Sequence, residues 1–163
     1  MTEFTTWRSL VDGEEISAIP DSVVSRPDDN DSVSDDPSRG LVINPNSTFQ
    51  SVGVEISTNT SGVSRARLYD YDADQYIETV DVSDLSAGDA FKFDSEIKQG
   101  QDYGLEADND GSSYTIGFND GATDYPYTGE DIDIVAGSSG GNLETDRQAQ
   151  VLNNVGNPQG ILD

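Results

Sequence analysis

The sequence has no cysteine and no histidine. That excludes disulfides, thiolate chemistry, histidine general bases and the usual zinc ligand sets at once. Lysine is almost missing, with Lys92 and Lys98 the only two. No apolar run approaches the roughly 18 residues that a membrane span requires, so no membrane insertion is expected. The first ten residues lack the basic and apolar blocks of a secretory signal, and no twin-arginine motif is present. The expectation is a protein made in the cytoplasm and not exported by a standard route.

What the sequence has instead is negative charge. Its 32 acidic residues face 8 basic ones, a formal net charge of −24. In dilute buffer such a surface repels itself and destabilises the compact state. In molar salt the Debye length falls to about 3 Å, the repulsion is screened, and hydrated carboxylates keep the chain soluble. The balance therefore reads as adaptation to a high-salt cytoplasm. Low hydropathy with high charge also describes a disordered chain, but the apolar residues here are patterned. No cluster of Lys and Arg exists to hold phosphates, so nucleic acid is not an expected partner. Ca²⁺ or other hydrated cations are the natural small ones.

From Gly40 to about Gly137 apolar residues recur with a period of two, the mark of half-buried strands. Val52, Val54 and Ile56 form one such run, Tyr103, Leu105 and Ala107 another, and Tyr114, Ile116 and Phe118 a third. Turn signals such as Asp110-Gly111 and Asp120-Gly121 separate them. The pattern predicts an all-β fold, an antiparallel sandwich of jelly-roll or immunoglobulin-like type, over 39–137. Residues 1–38 are expected to form an N-terminal arm, carrying Trp7, and an acidic loop from Pro27 to Ser38. Residues 138–163 are expected to form a C-terminal arm with a short helix over 143–154. One hairpin can be put in register: with a loop at Ala73 to Gln75, Leu68 faces Val80, Ala66 faces Val82, and Arg67 faces Asp81.

Two constellations carry possible chemistry. Asp70, Asp72, Asp74, Glu78 and Asp81 stand at positions one, three, five, nine and twelve, which overlaps the calcium-loop spacing. Gln75 occupies the position where that loop needs glycine, and the alternative is a solvated hairpin tip. Asp108, Asp110 and Asp120 on neighbouring turns are a weaker candidate. The second constellation is aromatic: Arg65, Arg67, Tyr69 and Tyr71 share one strand face, and Tyr125 and Tyr127 flank Pro126 in a loop. Exposed Tyr and Arg make binding hot spots and subunit contacts, tyrosine rings also stack on sugars, and the same residues serve to cover core edges. Carboxylates are too numerous to single out a glycosidase pair, and serines have no histidine to activate them. No enzymatic role is expected.

The opening Trp7-Arg8-Ser9-Leu10-Val11-Asp12-Gly13, followed by Ile16 to Ser22, resembles N-terminal segments of virion proteins from haloarchaeal tailed viruses. The stretches SRARLYDYD (64–72), DLSAGDAFKF (84–93) and QGQDYGLEADNDG (99–111) resemble β-sandwich modules of tail-fibre and decoration proteins. The likeness covers about residues 7–118 and is one of style rather than of a diagnostic motif. It implies a virion structural protein on the virion surface, in a capsid decoration, turret or tail fibre. Its partners would be further copies of itself, with a trimer expected, and other virion proteins. The alternative is a module that binds a host-cell glycan or surface layer.

Overall fold

The computed structural model describes residues 8–11, 14–17, 19–145 and 148–162. The chain is an all-β antiparallel sandwich, without an α-helix among the described residues. Sixteen strands follow one another among the described residues: β1 (Arg8–Val11), β2 (Glu14–Ser17), β3 (Val23–Val24), β4 (Asp31–Asp35), β5 (Arg39–Pro45), β6 (Thr48–Phe49), β7 (Val52–Ile56) and β8 (Arg65–Asp70). Then come β9 (Gln75–Asp81), β10 (Ala90–Phe93), β11 (Tyr103–Asp108), β12 (Tyr114–Asn119), β13 (Ile132–Ser139), β14 (Asn142–Glu144), β15 (Ala149–Gln150) and β16 (Leu152–Gly156), with a 3-10 turn at Pro158–Gly160.

One layer is a six-stranded sheet in the order β14-β13-β5-β11-β8-β9. The other is made of β10-β7-β16-β3 and β15-β12-β4. These two small sheets share one stretch of chain. Val151, between β15 and β16, donates its N–H to the Gly117 carbonyl and accepts from Ser57 N–H, at 2.9 and 2.8 Å. Its φ of +67° is a costly conformation for a β-branched residue, held here by bonds into both sheets. The N-terminal hairpin β1–β2 is joined to β6 by a short parallel pairing, Ile16 to Thr48 and Ser17 to Phe49.

The core lies between the layers and follows the period-two pattern. Leu41 and Ile43 of β5, Ala66 and Leu68 of β8, and Tyr103, Leu105 and Ala107 of β11 meet Val52, Val54 and Ile56 of β7, Ile116 of β12 and Leu152 of β16. Each such apolar side chain, once fully buried, contributes on the order of 1.5–3 kcal/mol. Gly40 is required in β5, because a Cβ there would run into the Leu105 carbonyl of β11.

Several sequence expectations are corrected. The arms expected at 1–38 and 138–163 are not appendages in their described parts: β3 and β4 pair with β16 and β12, β13 runs through the boundary at 137, and β16 is an interior strand of its sheet. The acidic run holds β4, with Val33 opposite Ile116; its side chains are almost all in solvent, so backbone pairing makes a strand that leaves no apolar alternation. The helix expected over 143–154 is replaced by β14, β15 and part of β16. Ala149, Val151 and Leu152 are each buried, and Asn154 and Gly156 take positive φ, which no helix accommodates. Trp7 lies outside the described residues.

The β8–β9 hairpin is shifted by two residues from its expected register. Ala66 faces Val80 and Arg65 faces Asp81, and the turn is Tyr71 to Asp74. A shift of two preserves which face each residue uses. Ile77 is the extra residue of a β-bulge, because Leu68 pairs with Glu78 while Tyr69 pairs with Tyr76.

Candidate functional site

The six-stranded sheet has a second face, away from the core, and the sequence-predicted Arg/Tyr residues meet there. On β11, Gly104, Glu106 and Asp108 alternate with the core residues and point to this face. Glu106 is fully buried. Its Oε1 accepts from Tyr76 Oη at 2.7 Å, and its Oε2 accepts from Ser138 Oγ at 2.5 Å and from Gly141 N–H at 2.9 Å. Those donors come from β9, β13 and the turn after β13, so one carboxylate ties three parts of the sheet to its centre. A charged acceptor roughly doubles the strength of a hydrogen bond, which offsets the cost of burying it.

Around that carboxylate lies a layer of rings. Tyr69 stands edge-to-face with both Tyr71 and Tyr76, at 4.9 Å between centroids in each case. The Arg67 guanidinium sits 3.8 Å from the centre of the Tyr76 ring. Tyr71 Oη is 2.8 Å from Ser138 Oγ, and Tyr69 donates to Asp74. The bulge at Ile77 makes this layer possible, since it brings Tyr76 opposite Tyr69 and therefore onto its face. Burial pushes the Tyr71 hydroxyl up to about 12, against the opposing hydrogen bond from Ser138. Burial and the Glu106 bond raise Tyr76 further.

At the end of the layer Asp108, almost buried, receives Arg65 Nε at 2.6 Å and Arg67 Nη2 at 3.3 Å, while Arg65 Nη1 reaches Asp110 at 2.8 Å. Burial works to raise the Asp108 carboxyl. The Arg65 hydrogen bond, the Asp110 N–H and both guanidinium charges outweigh it, and its pKa is lowered. The expected pair of Arg67 with Asp81 is thus replaced: Arg65 and Arg67 both turn across β8 to β11.

The five carboxylates with calcium-loop spacing do not converge. Asp70 Oδ1 accepts the N–H groups of Asp72 and Ala73, Asp74 accepts from Tyr69, Glu78 accepts from Asp94 and Ser95, and Asp81 accepts from Ser83. The physical reason is local: a short acidic side chain beside a turn satisfies the nearest free N–H. Among the described residues no group of three or more acidic side chains is placed to hold a metal. Asp120 accepts from Asn30, away from Asp108 and Asp110.

Tyr125 and Tyr127 are brought together but elsewhere. They lie edge-to-face at 5.2 Å on either side of a cis Pro126, half-buried against the core rather than presented as a platform. Tyr127 exchanges two backbone hydrogen bonds with Ile134, which fastens the loop to the edge of β13. A separate recess of about 280 Å³, lined by Ile56, Thr60, Ser61, Val63, Leu85 and Ala87 among others, contains no titratable side chain.

Sequence reasoning missed Tyr76, Glu106 and Ser138. Alternation places Glu106 on the solvent side, and only the covering tyrosines bury it. No helix of the described residues is long and apolar enough to cross a membrane. No family model, no curated protein and no solved structure matches the chain.

Proposed function

We propose that this chain is a non-catalytic structural subunit of a particle that works in concentrated salt: a virion protein of a tailed virus of halophilic archaea, displayed as a sandwich on a capsid decoration, turret or tail fibre. The observation that carries this reading is how the charged groups are used. Arg26, Arg39, Arg65, Arg67 and Lys92 all pair with carboxylates of the chain itself. The buried acids Glu106 and Asp108 are spent on holding strands together. Exposed carboxylates such as Asp28, Asp72, Asp84 and Asp124 form a hydrated negative shell. A fold that ties its reactive groups inward and shows an acidic shell suits a durable part in brine, and the Trp7 to Ser22 and 64–111 resemblances point the same way.

Quantitative mass spectrometry on gradient-purified particles from the culture that encodes the chain tests this. The chain should be a stoichiometric component of the particle band. Recovery solely from the soluble cell fraction would refute the proposal. The second reading, a module for a host glycan or surface layer, draws on the half-exposed Tyr71 and Tyr76. Binding to a glycan panel in molar KCl, lost on Tyr71→Ala, would favour it.

A further inference from the structure

We propose that Asn59 is a glycan attachment site, its Nδ2 joined to C1 of a saccharide that a transferase delivers from a lipid-phosphate carrier. The inference goes beyond the structural-subunit reading and does not depend on it. In the transfer the Nδ2–C1 bond forms and the bond from C1 to the carrier phosphate breaks. The phosphate leaves with the electron pair, and one amide proton passes to a base of the transferase.

Three tripeptides fit the acceptor pattern of Asn, any residue but proline, then Ser or Thr: Asn30-Asp31-Ser32, Asn46-Ser47-Thr48 and Asn59-Thr60-Ser61. The pattern needs an exposed loop and a free amide, and the fold separates the three on that ground. Asn30 Nδ2 donates to Asp120 Oδ1 at 2.8 Å, its Oδ1 accepts from the Asp120 N–H at 3.3 Å, and Ser32 is held in β4 opposite Gly117. Asn46 Nδ2 donates to the Glu130 carbonyl at 3.0 Å. Its partner hydroxyl is also taken: Thr48 is buried, with Oγ1 accepting from the Gln99 N–H at 3.1 Å.

Asn59 stands in the turn after β7 at a φ of +61°, a left-handed conformation that asparagine tolerates better than most residues. The Thr60 N–H closes that turn on the Ser57 carbonyl at 3.4 Å. Thr60 itself is buried and anchors the base of the turn, its Oγ1 accepting from the Gly117 N–H at 2.9 Å. Asn59 and Ser61 are both exposed, and neither side chain has a hydrogen-bond partner among the described residues. A second observation lies beside them. The recess of about 280 Å³ is lined by Thr60 and Ser61 together with Val63, Leu85 and Ala87, and in a chain of 32 acidic residues no carboxylate lines it. It offers the first sugar ring a largely apolar, uncharged surface next to the acceptor. Such transferases act on the outer side of a membrane, so a glycan at Asn59 sets aside the expectation of a chain that is not exported by a standard route.

The test is peptide mass spectrometry on the full chain purified from the culture that encodes it, and on Asn59→Asp and Ser61→Ala produced there. Cleavage after glutamate isolates residues 56–78, with Asn59, from residues 16–55, with Asn30 and Asn46. Both substituted side chains are exposed, and aspartate accepts the same left-handed turn, so circular dichroism in about 3 M KCl should show each variant folded. The expected result is a gain of one or more whole sugar masses on 56–78, none on 16–55, and loss of that gain in both variants. An unmodified 56–78, sugar on 16–55 instead, or a gain that survives Asn59→Asp would overturn the assignment. Particle membership is read separately from the gradient fractions: an unmodified chain in the particle band would remove the glycan and leave the structural-subunit reading intact, and a modified chain absent from that band would do the reverse.

Discussion

Tyr76 Oη of β9 donates to Glu106 Oε1 of β11 at 2.7 Å, reaching across the whole of β8 to do so. The bond spans two strand spacings, about 9–10 Å, and locks an edge strand to an interior one through side chains as well as backbone. With Ser138 and Gly141 on its other oxygen, Glu106 also ties β11 to β13 and the turn after it.

Glu106→Ala removes the common acceptor of three donors from a site with no room for bulk water. The expected loss is about 2–3 kcal/mol, seen as a fall in Tm of roughly 4–10 °C in molar KCl. Glu106→Gln keeps an acceptor oxygen and should cost less. Equal Tm values for wild type and Glu106→Ala would mean that the network contributes nothing.

Arg26 and Asp29 form an ion pair at 2.6 Å with both side chains at 0% exposure. Arg26 also donates to the Leu152 carbonyl and to Ser57 Oγ, which fastens the chain after β3 to the sheet. Arg26→Met leaves Asp29 charged and buried, and urea titration should show a loss of about 3–5 kcal/mol. Asp29 Oδ2 has no hydrogen-bond partner and crowds the same space above Gly117 as the Thr58 carbonyl. Adding Asp29→Asn should therefore recover part of the loss by removing the charge and supplying a donor beside that carbonyl. A double variant no more stable than Arg26→Met would count against this account.

Alkaline pH should unfold the protein in a defined window. Tyr71 and Tyr125 are pushed up to about 12 by burial, and Tyr76 and Tyr114 are raised beyond that. In the unfolded chain each ionises near about 10. Raised folded values favour the neutral form, so the stability they contribute is present below pH of about 10 and lost as pH climbs toward 12. Absorbance titration at molar KCl should show these tyrosines ionising late and together with the loss of β signal. Simple titration of all seven tyrosines near about 10 with the fold intact would contradict the burial of the face.

Dilution of salt should act in the opposite direction from its effect on most folds. Among the described residues Arg26, Arg39, Arg65, Arg67 and Lys92 are paired within the fold, so the exposed carboxylates there have little unpaired positive charge nearby. Circular dichroism should show β structure in about 3 M KCl and progressive loss toward about 0.1 M, as the Debye length lengthens from about 3 to 10 Å. Full retention at low salt would sink the salt-adaptation argument.

The relation between sequence and fold differs by face. Core strands such as β7 and β11 were legible because one side is apolar and the period is two, so Val52, Val54, Ile56 and Tyr103, Leu105, Ala107 point to the core as the alternation demands. β4 was not, because both of its sides face water and its pairing with β12 is made by backbone groups alone. β14, β15 and β16 do not follow the helix expected there because the strands are short, Val151 at positive φ separates β15 from β16, and Asn154 and Gly156 at positive φ break the regularity of β16 itself.

By itself the sequence determined the class of fold, the acidic surface and the gathering of Arg65, Arg67, Tyr69 and Tyr71 on one side of a strand, since each follows from composition or from the two-residue repeat of an extended chain. Tertiary structure alone decided where that side leads. A single bulge at Ile77 moves Tyr76 onto the face, the β13 hairpin brings Ser138 and Gly141 over it, and a glutamate that alternation assigns to solvent becomes its buried centre. The physical reason is that a strand's own pattern fixes which way a side chain points, while what it points into is set by strands distant in sequence.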